Sequence, residues 1–273
     1  VSRLETLASA DVPAALDFLA ERPYDNVYVG WLIASKTVAR SDIAVFRDDA
    51  GAIAGLCYFG PQIVPCGDDP AALEAFGARA RRATATRMIV GPRPAVEALW
   101  AQARTALRVP SAIRASQPVY RLERADLAYS RADADVGQAT LSELDEITRN
   151  SAEMIAGENG GDPRRTNADF RGRTARVISA RWWWRYRIAG RLAFMCNVGS
   201  ATEKTAQLQG VWTPPEMRGA GHATRGLGAI CDHLLDEHPT LCLYVNDFNA
   251  PAIALYERVG FRRVGEFATI LFN

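Results

Sequence analysis

The amino-acid sequence predicts an α/β protein, an α+β mixed-sheet fold arranged as two lobes. Three observations predict it. Segments with strand-like apolar runs alternate with segments of helical period along the chain. The order hairpin, helix, strand, helix, strand occurs twice, which suggests a degenerate tandem duplication. Finally, 273 residues with 48% hydrophobic and 23% charged content suffice for two cores of ordinary size.

The first lobe is expected over residues 1–127. Helical spacing covers residues 11–20 and 24–35, and residues 43–59 read as two strands about a turn at 48–51. Residues 70–83 place Leu73, Phe76 and Ala80 on one face, so a helix is expected there. A strand at 87–90, a helix at 94–107 and a strand at 118–122 follow. The polar stretch 123–135 is the expected boundary, and no motif assigns the first lobe a role beyond scaffold.

The second lobe is expected over residues 131–273. It begins with a strand at 136–140 and a helix at 141–156 whose apolar face is Leu141, Leu144, Ile147 and Met154. A loop at 157–167, a helix at 169–180 and strands at 182–189 and 192–198 come next. A strand at 206–212 leads into a helix at 223–238 with Leu227, Ile230, Cys231, Leu234 and Leu235 on one stripe. The chain closes with a strand at 241–246, a helix at 250–259 and a strand at 262–272.

A formal net charge of +1 excludes bulk attraction to nucleic acid or to acidic membranes. All but Lys36 and Lys204 of the 32 basic residues are arginines, a composition that reflects coding bias. The five cysteines are scattered without Cys-x-x-Cys pairs, and the three histidines lack zinc-ligand spacing, so reduced thiols, no metal and a cytoplasmic location are expected. No stretch approaches the roughly 20 apolar residues of a membrane helix. Residues 164–187 hold eight arginines and three consecutive tryptophans; the expected reading is a helix with a wet arginine face, then a strand whose tryptophans alternate between core and surface. His222 is expected to point from its loop, and His233 and His238 to complement a helix dipole as imidazolium.

The chemistry concentrates at 208–224, LQGVWTPPEMRGAGHAT. A loop with small residues at every second position, feeding a helix N-terminus, aims unpaired backbone N–H groups at one point and favours a phosphate or pyrophosphate. Gly219 and Gly221 let the backbone approach a ligand without an intervening Cβ. Such a turn alone is about as often plain structure as a ligand site. It lacks the Gly-Lys-Ser/Thr of a Walker loop. The second signal is LCLYVNDFNAPAIALYERVGF at 241–261, where Tyr256 follows Asn249 by about two helical turns on the same face.

Together, Arg-x-x-Gly-x-Ala and the later Asn and Leu-Tyr-Glu-x-x-Gly-Phe resemble the GNAT acyltransferase superfamily. The wording LYVNDFNAPA and the closing FATILF are similar to two-lobed actinobacterial GNAT proteins whose front lobe is a domain of unknown function. The resemblance implies a GNAT fold in the second lobe, a degenerate GNAT-like first lobe, and acetyl-CoA as cosubstrate with no metal. It implies that Val211, Trp212 and Thr213 lie where two strands splay and pair with the pantetheine arm. Arg218, Gly219, Ala220, Gly221, His222, Ala223 and Thr224 would wrap the pyrophosphate, and Asn249 would bond the pantetheine. Tyr256 would protonate the departing thiolate as general acid, against the plainer reading of a core ring.

The general base departs from the family pattern. The strand before the loop offers Gln207 and Gln209, and Tyr244 stands five before Asn249, where a glutamate often sits. Glu158, Glu203 and Asp247 are the nearest carboxylates in sequence, with Glu158 the candidate base. The expected function is transfer of an acyl group, acetyl for preference, from acyl-CoA to a primary amine of a small molecule or protein by direct attack on the thioester. Two other classes compete: a non-catalytic acyl-CoA sensor or partner-binding module, and a tRNA-dependent aminoacyl transferase. The phosphate-binding loop argues against the latter. The partners implied are acetyl-CoA and an amine, without membrane or nucleic acid; a homo-oligomer is compatible with the sequence.

Overall fold

The computed structural model describes residues 3–129, 135–159 and 161–272. It divides into two compact units. One comprises Val1–Tyr120, Tyr244–Ala250 and Arg263–Asn273, the other Arg121–Leu243 and Pro251–Arg262. Part of the expected boundary stretch, 130–134, lies outside the described residues.

The first unit runs β1 (Arg3–Thr6), α1 (Val12–Ala20), α2 (Pro23–Ala34), β2 (Ile43–Arg47), β3 (Ile53–Phe59), β4 (Gln62–Cys66), α3 (Pro70–Ala80), β5 (Met88–Pro92), α4 (Arg93–Ala103) and β6 (Ala112–Glu123). The second unit runs β7 (Val136–Gln138), α5 (Leu144–Asn159), α6 (Pro163–Thr166), α7 (Phe170–Ser179), β8 (Trp183–Ile188), β9 (Arg191–Ala201), β10 (Ala206–Trp212), α8 (His222–Glu237), β11 (Thr240–Tyr244) and α9 (Ala250–Val259). The last strand, β12 (Arg262–Leu271), returns to the first unit, where it pairs with β5 antiparallel.

Strand order is β1-β2-β3-β4-β5-β12-β6 in the first unit and β11-β10-β9-β8-β7 in the second. Helices cover both faces of the first sheet. Along β2, Ala44 and Phe46 enter the core beneath α3 and α4, while Ile43 and Val45 enter the one beneath α1 and α2. That double covering explains why β2 reads as a continuous apolar run instead of an alternating one. Phe76 and Leu99 are fully buried on the α3–α4 side, each contributing about 1.5–3 kcal/mol.

Several elements differ from the sequence expectation. β1 and β4 were not anticipated. β4 is five residues long and contains Pro65, a residue that argues against a strand. It is tolerated because the parallel pairing of β4 with β5 is registered only at Gln62↔Met88 and Ile63↔Ile89. β6 begins at Ala112, six residues before the expected strand, because its polar first half is recruited by tertiary contacts such as the Ser111 N–H to Leu271 O bond. α5 begins at Leu144 after a capping box between Thr140 and Glu143, which leaves Leu141 in the preceding 3-10 turn and exposed. The helix then runs on into the expected loop at 157–167, and α6 fills more of it, with the Asp162 carboxylate accepting the Arg164 N–H.

Trp183 and Trp184 are both buried, a correction to the core-and-surface alternation. Trp183 packs with Leu144, Ile147 and Ile178, whereas Trp184 stacks on His233 of α8, so a helical layer covers each face. The arginines of 164–187 are largely consumed by ion pairs: Arg164 with Asp162, Arg171 with Asp145, Arg176 with Asp169, and Arg185 and Arg187 with Glu143. His238 is half-buried just past α8, and burial lowers its pKa below the ordinary 6.5, so it is neutral at pH 7 instead of an imidazolium. The five cysteines are buried, and none of them forms a disulfide. Among the described residues no helix is long and apolar enough to cross a membrane, and no cluster of His, Cys, Asp or Glu could hold a metal ion.

Candidate active site

The site is assembled in the second unit from the end of β10, the loop behind it and the start of α8. β10 pairs with β9 on one side and with β11 on the other. Its parallel register with β11 is confined to Ala206↔Leu241 and Gln207↔Cys242, yet β10 continues to Trp212. Beyond Gln207 the two parallel strands therefore part, and the backbone of the last residues of β10 is released from that ladder.

A bulge sharpens the departure. On the β9 side Gln209 pairs with Asn197 and Trp212 with Met195, so three steps along β10 match two along β9. The residue that absorbs the excess is Gly210, with φ of +64°. A Cβ there would lie 2.5 Å from Asn197 Oδ1. Gly210→Ala is expected to destabilise the second unit by about 1–3 kcal/mol in urea unfolding, from left-handed strain plus this clash. Val211 and Thr213 are partly exposed and Trp212 is buried, with Trp212 packed in the core formed by α5, α7, β8 and β9.

After Pro214 a 3-10 turn, Pro215–Met217, reverses the chain. Arg218 folds back, its Nε donating to Thr213 O at 3.0 Å and its guanidinium lying 5.1 Å from the Trp212 ring centre. Gly219 and Gly221 then take φ of +78° and +77°, flanking Ala220. Alternating hand at successive residues turns main-chain N–H groups inward as an anion-binding nest. A Cβ added at either glycine meets nothing within 4 Å, so the concavity is open. Arg225, one turn into α8, donates Nη2–H to Ala220 O at 3.1 Å, pinning that carbonyl away from the nest. Sequence reasoning stopped at Thr224 and missed Arg225, and it also missed Gly210, although a glycine inside a strand pattern signals a bulge.

The N-terminus of α8 has Gly221 as its cap and no side-chain capping bond. Its first N–H groups and the positive end of the helix dipole are thus left for an external acceptor. His222, the first residue of α8, is partly exposed. Its Nδ1 is buried and lacks a hydrogen-bond partner within the protein. Ala223 is partly buried and Thr224 buried, both in the first turn.

The equivalent position in the first unit is closed. There β4 leads through Gly67, Asp68 and Asp69 into α3, and the Asp69 carboxylate caps the helix by accepting the Ala72 N–H at 2.8 Å. Asp68 is held by Arg22 at 2.6 Å. A side-chain carboxylate already occupies the role that an incoming anion would take, and its charge repels another.

Tyr256 lies on α9 and is 5% exposed, its ring in edge contact with Phe261 at 5.9 Å. Burial holds its phenol well above the ordinary value of 10.0, and nearby Cys196 of β9, Glu158 of α5 and Cys231 of α8 add to the rise. The hydroxyl is therefore neutral and proton-bearing throughout the physiological range. The charge of Glu158 reaches Tyr256, so α5 and α9 bring these two candidates into one neighbourhood. Glu158 itself is exposed near the end of α5. Glu203 is exposed in the turn between β9 and β10, and Asp247 is exposed in the first unit. Asn249 also falls in the first unit, immediately before α9, with its N–H donating to Asn246 O at 2.9 Å.

Residues 142–261 match the acetyltransferase (GNAT) family, and residues 44–147 match a domain of unknown function (DUF4081). No curated protein matches the sequence. Among solved structures the chain is similar to a GNAT-family acetyltransferase from Colwellia psychrerythraea, at 12% identity and a TM-score of 0.60, covering 99% of this chain and 100% of that one. It is similar to a tandem GNAT protein from the clavulanic acid biosynthesis pathway, at 16% identity and a TM-score of 0.58, covering 99% and 98%. A third, a GNAT-family acetyltransferase from Novosphingobium aromaticivorans, shares 21% identity over 92% and 97% of the two chains, with a TM-score of 0.56.

Proposed function

From the premise that residues 142–261 are a domain of the acetyltransferase (GNAT) family, we propose that the protein moves an acetyl group from acetyl-CoA to a primary amine. The observation that carries this reading is the open nest at Gly219–Gly221, which feeds the uncapped N-terminus of α8. A diphosphate accepts hydrogen bonds from the main-chain N–H groups of such a turn. The same feature favours a coenzyme-borne acyl group over one carried by a charged tRNA. The first unit, with the order β4, α3, β5, α4 matching β10, α8, β11, α9, is a GNAT-like lobe that has lost its own anion site to Asp69.

Coenzyme A supplies the activated thioester. The chain does the rest by binding and orientation. Main-chain N–H groups of Gly219 to Thr224 hold the diphosphate, and the freed edge of β10 at Val211, Trp212 and Thr213 pairs with the pantetheine like an added strand. The amine lone pair attacks the thioester carbonyl carbon, the C–S bond breaks, and the phenol of Tyr256 delivers its proton to the departing sulfur. The excess amine proton leaves through Glu158 or water, and the neutral phenol is restored by the same route.

Thermal unfolding with and without acetyl-CoA tests the reading. At about 100 times the dissociation constant the ligand adds about 2.7 kcal/mol, a clear rise in Tm. The absence of any rise at saturation would sink it. Release of free CoA above background with a panel of amines then separates a transferase from an acyl-CoA sensor, which binds but does not turn over.

A further inference from the structure

The first unit holds a cavity of about 340 Å³ on the α1–α2 side of its sheet. Leu7, Val12, Ile33, Val38 and Ile43 form its aliphatic walls. Leu7, Ile33 and Ile43 belong to the buried core on that face, and Val12 and Val38 pack against it, so the walls are rigid. The rim carries two cations, Lys36 and Arg40, and among the described residues lining the cavity none is acidic.

Those cations are distinctive in their setting. Neighbouring Arg47 is held by Glu5 and by Asp11 at 2.8 Å, and Arg22 by Asp68. The side chains of Lys36 and Arg40 have no hydrogen-bond or ion-pair partner among the described residues. Lys36 also adopts φ of +56°, a left-handed conformation that a residue with a Cβ takes only where its surroundings impose it. The turn after α2 thus brings an unpaired ammonium to the mouth of an apolar chamber.

We infer that this cavity binds an aliphatic monocarboxylate, with the chain against the valine, leucine and isoleucine walls and the carboxylate between Lys36 and Arg40. A volume at the lower end of small-molecule pockets suits a chain of about eight to ten carbons. Burying the chain supplies the non-directional part of the affinity, and two cations facing one anion supply the selectivity. The site is independent of the transferase reading and uses none of its residues.

Titration calorimetry of the full chain with decanoate below its micelle concentration tests the inference. The expected result is saturable binding of one decanoate per chain and none of decyltrimethylammonium, which has the same tail and the opposite charge. Lys36→Glu with Arg40→Glu, at exposed positions, weakens binding at least tenfold while leaving the unfolding temperature unchanged. Should that pair unfold, Lys36→Gln with Arg40→Gln replaces it, with the same expected loss. Ala39→Phe, which places a ring in the chamber, weakens decanoate binding by a similar factor without touching charge. Absence of saturable binding, equal binding of the cationic amphiphile, or undiminished binding in these variants overturns the inference. Affinity for phosphatidylglycerol vesicles without affinity for free decanoate overturns it too, by assigning the cations to a lipid surface.

Discussion

Gly221→Glu is expected to weaken acetyl-CoA binding by roughly a hundredfold or more. The position is exposed and a side chain there meets open space, so the protein can accept the glutamate sterically. Its backbone φ of +77° costs any residue with a Cβ about 1–2 kcal/mol, which appears as a small loss of stability. The functional loss has another origin. The new carboxylate stands where the diphosphate would bind, and two like charges about 4 Å apart repel by about 4 kcal/mol at an effective dielectric of about 20. Screening at this exposed loop reduces that figure, yet about 2.7 kcal/mol is enough for the hundredfold effect. Calorimetry with acetyl-CoA, alongside urea unfolding of the same variant, reads both quantities. Parent-like affinity in a folded variant would remove the nest from the binding site.

Tyr256→Phe is expected to lower kcat by about 10²–10⁴, the range for loss of a positioned general acid, while the acetyl-CoA dissociation constant moves by less than about threefold. The substitution keeps the ring and its edge contact with Phe261, so packing is preserved. A plain core role for the ring predicts unchanged turnover, and that outcome would strip Tyr256 of its part. The direction of its pKa shift adds a second readout. A phenol whose folded pKa is raised stays protonated as pH climbs from 7 through the ordinary value of 10.0. The parent's kcat should therefore show no falling limb from Tyr256 across that interval. The raised pKa also fixes the sign of any stability effect. The neutral folded form confers nothing below pH 10 and becomes a cost above it, as the unfolded chain ionises first.

How much of this was legible in the sequence varied with the range of the interaction concerned. Periodicity located α8 to within one residue, because Leu227, Ile230, Cys231 and Leu234 share one buried stripe. β4 was missed because Pro65 argues against a strand, and only its partners β3 and β5 make it one. The tryptophans misled for a related reason. Alternation predicts opposite faces, which Trp183 and Trp184 do occupy, but exposure depends on what covers each face, and α8 covers the second.

By itself the sequence determined the fold class, the order of most strands and helices, and a glycine-spaced loop feeding an amphipathic helix, since each follows from local dihedral preference and side-chain period. Only the tertiary structure decided that β10 leaves β11 after Gln207, that a bulge at Gly210 accompanies the departure, and that Asp69 fills one helix N-terminus while its counterpart at Gly221 stays open. It also decided that Tyr256 is buried among α9, β9 and α8, which raises its pKa. The reason is that hydrogen-bond ladders, caps and electrostatic neighbours are set by which segments meet after packing, and no local pattern records where a ladder stops.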